Sequence, residues 1–239
     1  MTAEKWSSFA TELSRLNEDI LQTIERWVED NQELLIGALY ARANQSFLGS
    51  IQLAEAGLTD DASTLIRSMV ESTIAICATA RDESFIRSLI EDDAYNLNRY
   101  AKAYKEYRKE AAKMLGDDET LEAPLQVVAE DEKRSRINWA EVAKREFLTR
   151  HLYDVHYRSM SSHVHVAITS LSTRGDEHHD FTHINWRPNR GEAAETVARA
   201  CDVMIWAAMQ VLGFMKLEAL RPQFESLCER QTSLLDDLP

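Results

Sequence analysis

The sequence predicts an all-α protein, a bundle of about five or six main helices. Seven glycines and four prolines in 239 residues are too few for a turn-rich β architecture. Apolar residues return every three or four positions over most of the chain, which is the period of an amphipathic helix. A composition of 44% hydrophobic and 28% charged residues is typical of a chain that folds around a core.

The N-terminal third is predicted to form a helical hairpin. Residues 3–56 form one or two amphipathic helices that end at Gly57, a residue typical of helix C-termini. The next helix, residues 61–80, is expected to begin with Thr59 as its cap and with acidic residues in its first turn. Two adjacent apolar stripes make it the expected central helix: Leu65, Met69, Thr73 and Ile76, beside Ile66, Val70, Ile74 and Cys77.

A long charged helix is predicted over residues 83–115. Its basic residues alternate with Tyr100, Tyr104 and Tyr107, which gives two interpretations. The first is a basic, aromatic surface that holds RNA. The second, favoured by the interrupting acids Glu106 and Glu110, is an ordinary solvated helix face.

Two further helices are predicted in the C-terminal half, over residues 139–170, with a break near Arg150, and over residues 192–220. Together with residues 61–80 they are expected to form the core of a single domain, residues 1–222. Pro222 is expected to end the last helix, and residues 223–239 to form a peripheral tail. Loops are predicted at residues 116–136 and 173–191, where glycine, proline and polar residues concentrate.

The net charge of −13 argues against a broad, sequence-independent grip on DNA, because phosphate binding draws on clustered Lys and Arg. Three widely spaced cysteines, Cys77, Cys201 and Cys228, suggest thiols in a reducing compartment rather than disulfides or a zinc knuckle. The N-terminus lacks the pattern of a signal peptide, and no run is expected to reach the length of a membrane span. These features predict a cytoplasmic protein that contacts no membrane.

All seven histidines fall between residues 151 and 183, which allows three interpretations: a metal site, acid–base chemistry near neutral pH, or polar hydrogen bonding inside a helical core. On a helix His163 and His165 stand about 200° apart, so they cannot chelate one ion together. His179 and His183, spaced i to i+4 near acidic residues, are the fallback metal site, although no HExxH or paired CxxC motif supports a metal. We therefore expect no metal and no other cofactor.

A second interpretation is acid–base chemistry on one helical face. Asp154, Arg158, Ser161 and His165 are separated by four, three and four residues, a spacing that aligns them on an α-helix. A permanent guanidinium cation beside a titratable imidazole suits the holding of a phosphate during proton transfer. The alternative is an ordinary Asp154–Arg158 ion pair, with Ser161 and His165 bonded to a neighbouring helix.

Two motifs carry a resemblance to known families. The segment Tyr157–His165, with Arg158 followed by His163 and His165, resembles the Arg-x4-6-His motif of the HEPN superfamily of helical-bundle proteins. The chain also resembles an uncharacterised family of bacterial helical proteins with an AxxLxRSxxE helix and a later YRxxSxxxH helix. The first motif is matched here by Ala62, Leu65, Arg67, Ser68 and Glu71.

The HEPN resemblance implies a metal-independent endoribonuclease of a toxin–antitoxin or phage-defence system, acting on RNA as a homodimer and paired with an antitoxin protein. It implies that Arg158 holds the phosphate and that His163 or His165 performs acid–base catalysis. Tyr157, Ser161 and Asp154 would support them, and Arg67 and Glu71 would pair or reach into the same bundle. The alternative function is a non-catalytic, dimeric helical module that binds a partner or a small ligand. We expect self-association near the histidine-rich segment, favoured by the many apolar residues of the 192–220 helix.

Overall fold

A computed structural model describes residues 2–115, 136–164, 188 and 190–236. It divides into two compact units, one of residues 1–82 and 139–239 and the other of residues 83–138. Over the described residues every regular element is a helix, so the predicted all-α fold is confirmed.

The first unit begins with a helical hairpin, α1 (Thr2–Trp27) and α2 (Asn31–Glu55). The predicted stripe on α1 is buried: Phe9, Leu13, Leu16, Ile20 and Ile24. Asp30 caps α2, because its side chain accepts a hydrogen bond from the backbone amide of Glu33 at 2.8 Å. The 3–56 segment is therefore two helices, separated at residues 28–30.

The end of α2 is the predicted glycine stop. Gly57 has a φ of 80°, and the amide of Leu58 donates to the Leu53 carbonyl at 2.8 Å, the bond that closes a Schellman motif. Helix α3 (Thr59–Arg81) then begins with Asp60 and Asp61 in its first turn. Its N-cap is Leu58 rather than Thr59, and no side chain caps it. Both predicted stripes are buried apart from Leu65, which is partly exposed.

The core of this unit is formed by α2, α3 and α8 (Ala193–Phe214), which pack on one another. Helix α2 was not among the predicted core helices, yet Ile36, Tyr40 and Phe47 are fully buried. The apolar face of α8 is also buried, including Val197, Cys201 and Met204. That face is covered within the chain, whereas Trp206, Met209 and Phe214 of the same helix are partly exposed.

Helix α8 alone among the described helices is long and apolar enough to cross a membrane by length and composition. This differs from the expectation that no run would reach that length. Of its most apolar 18-residue window, 61% is buried inside the protein, as in the core helix of a soluble protein. It is weak support for a membrane span.

The segment of residues 139–164 is divided into more and shorter helical elements than predicted. It forms α5 (Trp139–Ala143), α6 (Phe147–His151), a π-helical turn (Leu152–Tyr157) and α7 (Arg158–Val164). The break lies at residues 144–146, before the predicted position at Arg150. Side chains satisfy the carbonyls it frees, because Thr149 donates to Ala143 O at 2.7 Å and Arg150 to Lys144 O at 3.0 Å.

The last helix also ends earlier than predicted. Helix α8 stops at Phe214, where Lys216 adopts a φ of 54° and the amide of Leu217 donates to the Leu212 carbonyl. This is a second Schellman motif, with lysine at the position that glycine usually takes. A 3₁₀ turn (Glu218–Leu220) follows, and Pro222 lies in the first turn of α9 (Arg221–Leu235) rather than ending a helix. Helix α9 packs on α1 and buries Leu227, Gln231 and Leu234.

The second unit contains one long helix, α4 (Phe85–Leu115), close to the predicted residues 83–115. The Asp92 carboxylate accepts a hydrogen bond from the Ile137 amide at 2.7 Å. Of the two predicted loops, residues 116–135 and 173–187 lie outside the described part of the chain, as do residues 165–170 of the predicted 139–170 helix.

Candidate functional site

The two motif helices meet through Arg67 on α3 and Tyr157 at the end of the π-helical turn. The Arg67 Nη2 atom donates a hydrogen bond to the Tyr157 hydroxyl at 2.7 Å. The guanidinium carbon also lies 4.5 Å from the centre of the Tyr157 ring, within cation–π range. Residues 90 positions apart in sequence are thus joined, so the arginine of the first motif contacts the tyrosine of the second.

Glu71 lies beside this contact, one helical turn after Arg67. Its Oε1 atom is 3.9 Å from the Arg67 Nε, at the outer limit of an ion pair. The Nε is buried and has no hydrogen-bond partner among the described residues. The predicted Arg67–Glu71 pair is therefore present but long, and the tyrosine hydroxyl is the closer partner of the guanidinium.

The environment of Tyr157 disfavours ionisation of its hydroxyl. Burial raises the pKa of Tyr157 above its ordinary value of 10.0, and the negative charge of Glu71 raises it further, while Arg67 acts in the opposite direction. At neutral pH the hydroxyl keeps its proton. It accepts the bond from Arg67 and retains a hydrogen of its own to donate.

A ladder of stacked groups continues from Tyr157 to the surface. The rings of Tyr153 and Tyr157 stack with centres 4.7 Å apart and planes 17° from parallel. The Arg158 guanidinium lies over Tyr153, 6.0 Å from the ring centre. We call Arg67, Tyr157, Tyr153 and Arg158 the Arg–Tyr ladder.

The π-helical turn explains why Tyr153 and Arg158 meet. On an ordinary α-helix, residues five apart point about 140° away from each other. Here the amide of Arg158 donates to the Tyr153 carbonyl, so one turn contains an extra residue and the two side chains are brought to the same side. Single π-helical turns within α-helices occur frequently at functional sites.

Arg158 itself is exposed. It forms the ion pair with Asp154 that the i to i+4 spacing predicts, at 3.5 Å, with 70% of the Arg158 side chain and 51% of the Asp154 side chain accessible. Exposed pairs of this kind contribute only about 0.3–0.5 kcal/mol. The pairing therefore leaves the guanidinium free to exchange its carboxylate partner for a phosphate.

The other predicted residues fall at the end of the described segment. The Ser161 hydroxyl donates to the Tyr157 carbonyl at 2.9 Å, within its own helix rather than to a neighbouring one. His163 belongs to α7, but its side chain lies outside the described part of the chain. His165 and the fallback metal residues His179 and His183 are also outside it. Where the structure does describe side chains, no three His, Cys, Asp or Glu residues are grouped as metal ligands.

Behind the ladder lie three hydrogen-bonded polar residues that were not named from the sequence. His156 is buried, and its Nε2 atom lies 2.9 Å from Oδ2 of Asp202 on α8. The other carboxylate oxygen of Asp202 accepts a hydrogen bond from Gln231 of α9 at 3.0 Å. Both Gln231 and His156 are buried. The only signal available was polar residues within apolar helical stripes, which does not identify their partners.

The hydrogen-bonded residues His156, Asp202 and Gln231 hold the π-helical turn on its buried side. His156 immediately precedes Tyr157, and Asp202 bonds to both His156 and Gln231. Hydrogen bonds between largely buried polar side chains constrain the helices that supply them. The Arg–Tyr ladder is therefore built on a turn anchored to α8 and α9.

Comparison with known proteins gives the family but no activity. No curated protein and no solved structure matches the chain. A family of unknown function, DUF5677, matches residues 33–183, a span that includes nearly all of α2, the whole of α3 and α4, and the Arg–Tyr ladder. Since this match covers more than half of the sequence, the chain belongs to the DUF5677 family.

Proposed function

We propose that the chain is a HEPN-like protein that binds RNA at the Arg–Tyr ladder and cleaves it without a metal ion. The observation that carries the proposal is the exposed Arg158 guanidinium beside two stacked tyrosines on a π-helical turn. Arginine binds phosphate through a planar fork of donors, and aromatic rings stack on the bases of single-stranded nucleic acids. In the ladder Arg158 covers the outer face of Tyr153, so a base stacks on that ring when the guanidinium turns from the ring to a phosphate.

In this mechanism Arg158 holds the scissile phosphate and stabilises the negative charge that develops on it. An imidazole of His163 or His165 moves the proton of the attacking 2'-hydroxyl or of the leaving oxygen. From Arg158 to Val164 the chain is ordinary α-helix, so the π-helical turn does not alter the spacing between Arg158 and His163. Arg67 positions the ladder by holding the Tyr157 hydroxyl.

The HEPN resemblance also suggests the biological system in which such a ribonuclease acts. A ribonuclease of this kind belongs to a toxin–antitoxin or phage-defence system, works in the cytoplasm and is held inactive by an antitoxin protein. The strongly negative net charge favours short contacts at a local site over a broad grip on nucleic acid. We therefore expect single-stranded RNA, with accessible bases and 2'-hydroxyls, as the substrate class.

A non-catalytic ligand-binding module is the second candidate, and Asp154 favours it. Its carboxylate, 3.5 Å from Arg158, offsets part of the charge that a phosphate would meet. In a module of this kind the Arg158–Asp154 pair stays in place, the ladder binds a partner protein or a small ligand, and the histidines take no part in proton transfer.

Cleavage of fluorescent single-stranded RNA in the presence of a chelator separates the two candidates. We expect products with cyclic-phosphate ends and a loss of about 100- to 10,000-fold in rate for Arg158→Ala and for one of His163→Ala or His165→Ala. Arg221→Ala is the matched control, because Arg221 also forms an exposed ion pair within its own helical segment, at 2.6 Å to Glu218.

Two results would contradict the ribonuclease proposal. One is cleavage that disappears with the chelator and returns with zinc or manganese, which would direct attention to His179 and His183. The other is full activity in both histidine variants. Binding of RNA without cleavage, weakened by Arg158→Ala, would support the non-catalytic candidate instead.

A further inference from the structure

Helix α4 carries a seam of exposed apolar side chains that nothing in the first unit's site uses. The seam follows a heptad repeat, with residues at alternating spacings of four and three: Ile86, Ile90, Asp93, Leu97, Tyr100, Tyr104 and Tyr107. Six of the seven are apolar or aromatic. A heptad repeat sustained over about three turns of the repeat is typical of a coiled coil.

Large apolar side chains on this seam are accessible to solvent. The exposed fractions are 64% for Ile90, 54% for Leu97, 61% for Tyr100, 36% for Tyr104 and 69% for Tyr107. Single exposed apolar residues are ordinary, but a row of five along about 26 Å of one helix marks an interaction surface.

The charges along α4 identify the kind of partner. Residues 85–98 contain one basic residue and three acidic ones, whereas residues 99–113 contain six basic residues and two acidic ones. An antiparallel pair of identical helices sets the acidic half of each against the basic half of the other. A parallel pair would instead place like charges side by side.

We infer that α4 forms an antiparallel coiled coil with α4 of a second copy of this chain. The apolar seam supplies the contact area, and the unequal charge of the two halves selects the orientation. Asp93 interrupts the seam in the acidic half, so in the antiparallel pair it lies beside the basic half of the second copy. A single polar residue in a seam fixes register at some cost in stability.

RNA is the competing occupant, since Arg99 lies over Tyr95 and Arg108 over Tyr104, 5.9 and 5.6 Å from the ring centres. These contacts place each arginine against a ring of its own helix. The heptad spacing also runs on into the acidic half, through Ile90 and Asp93, where a phosphate backbone would be repelled. A second protein helix accounts for the whole seam, whereas RNA accounts only for its basic half.

The inference is independent of RNA cleavage and is tested by sedimentation of the full-length protein. We expect the native chain to be a dimer at micromolar concentration. In Leu97→Glu the dissociation constant of the dimer should rise at least ~100-fold, because an unpaired charge enters an apolar seam. Arg42→Gln is the control, since it changes the net charge by the same amount at an exposed position outside α4. Circular dichroism checks that both variants keep their helical content.

Orientation is tested by disulfide cross-linking of Ile90→Cys and Tyr107→Cys, in a chain in which the half-buried Cys228 is replaced by serine. In the antiparallel pair a mixture of the two variants cross-links, and neither variant alone does. Cross-linking of Ile90→Cys to itself would overturn the antiparallel arrangement. A native monomer at tens of micromolar, or a dimer unaffected by Leu97→Glu, would overturn the seam as an interface. A monomer whose binding of single-stranded RNA is lost in Tyr100→Ala would assign the seam to RNA instead.

Discussion

The contact between Arg67 and Tyr157 can be tested by removing a single oxygen atom. Tyr157→Phe deletes the hydroxyl that accepts the 2.7 Å hydrogen bond from Arg67 and leaves the ring that stacks on Tyr153. The guanidinium also keeps its position over the ring, 4.5 Å from the centre. The substitution therefore keeps the ring contacts of the ladder and removes only the interactions of the hydroxyl, with Arg67 and with Glu71.

The size of the effect follows from the geometry. A hydrogen bond with a charged partner contributes about 1.5–3 kcal/mol when well buried. The Arg67 side chain is 19% accessible, so water replaces part of the lost bond, and we expect a loss of about 1 kcal/mol in the free energy of unfolding. The 3.9 Å Arg67–Glu71 pair should contribute less, about 0.3–0.5 kcal/mol, the usual value for ion pairs spaced i to i+4 on a helix.

The assay is a double-mutant cycle measured by urea unfolding. We expect Tyr157→Phe and Arg67→Met to show a coupling energy of about 1 kcal/mol, since each removes the same hydrogen bond. Tyr153→Phe is the matched control, because it removes a hydroxyl from the same stacked pair without touching the bond to Arg67. A coupling energy below about 0.3 kcal/mol, or an equal loss in the control, would refute the assignment of Arg67 as the residue that holds the ladder.

Two further predictions concern ionisation and helix termination. Glu71→Gln should lower the pKa of Tyr157, because the negative charge of Glu71 is one of the causes that raise it. Carbon-13 NMR of the tyrosine ring measures this pKa. An unchanged value would contradict the electrostatic explanation. Since that pKa is raised in the folded state, the stability the neutral hydroxyl contributes persists through neutral pH and falls only as the pH rises beyond the ordinary value of 10.0. Lys216→Gly should stabilise the protein by about 0.5–1 kcal/mol in urea unfolding, because Lys216 has a φ of 54°, which strains any residue except glycine. Gly57→Ala, at a φ of 80°, should destabilise the protein by a similar amount. A change of the same sign in both variants would be inconsistent with backbone strain.

Local periodicity was enough to predict the helices that bury one continuous face. The stripe of Phe9 to Ile24, the stripes of α3 and the stop at Gly57 depend on residues within a turn or two of each other. The Asp154–Arg158 ion pair was predictable for the same reason. Arg67 and Tyr157 could be named from their motifs, although nothing in their spacing showed that they touch.

Distant partners decide the features that were not predicted. The break before α6 is stabilised by Glu146, which pairs with Arg81 of α3, and by the Thr149 hydroxyl on the Ala143 carbonyl. His156 finds its partner 46 residues away on Asp202. The end of α8 depends on a lysine in a conformation that glycine normally supplies, so it carries no composition signal.

The π-helical turn also has an evolutionary consequence. One extra residue in a helix is accommodated by such a turn without displacing the chain on either side, so residues 152–157 tolerate the loss of a residue better than regular helix does. Deleting one residue between Tyr153 and Arg158 would restore regular α-helix and leave the arginine beside the tyrosine, because residues four apart on an α-helix lie only about 40° apart around its axis. Relatives with one residue fewer in this stretch would thus keep the alignment of the two side chains, and motif spacings counted across it would differ by one between them.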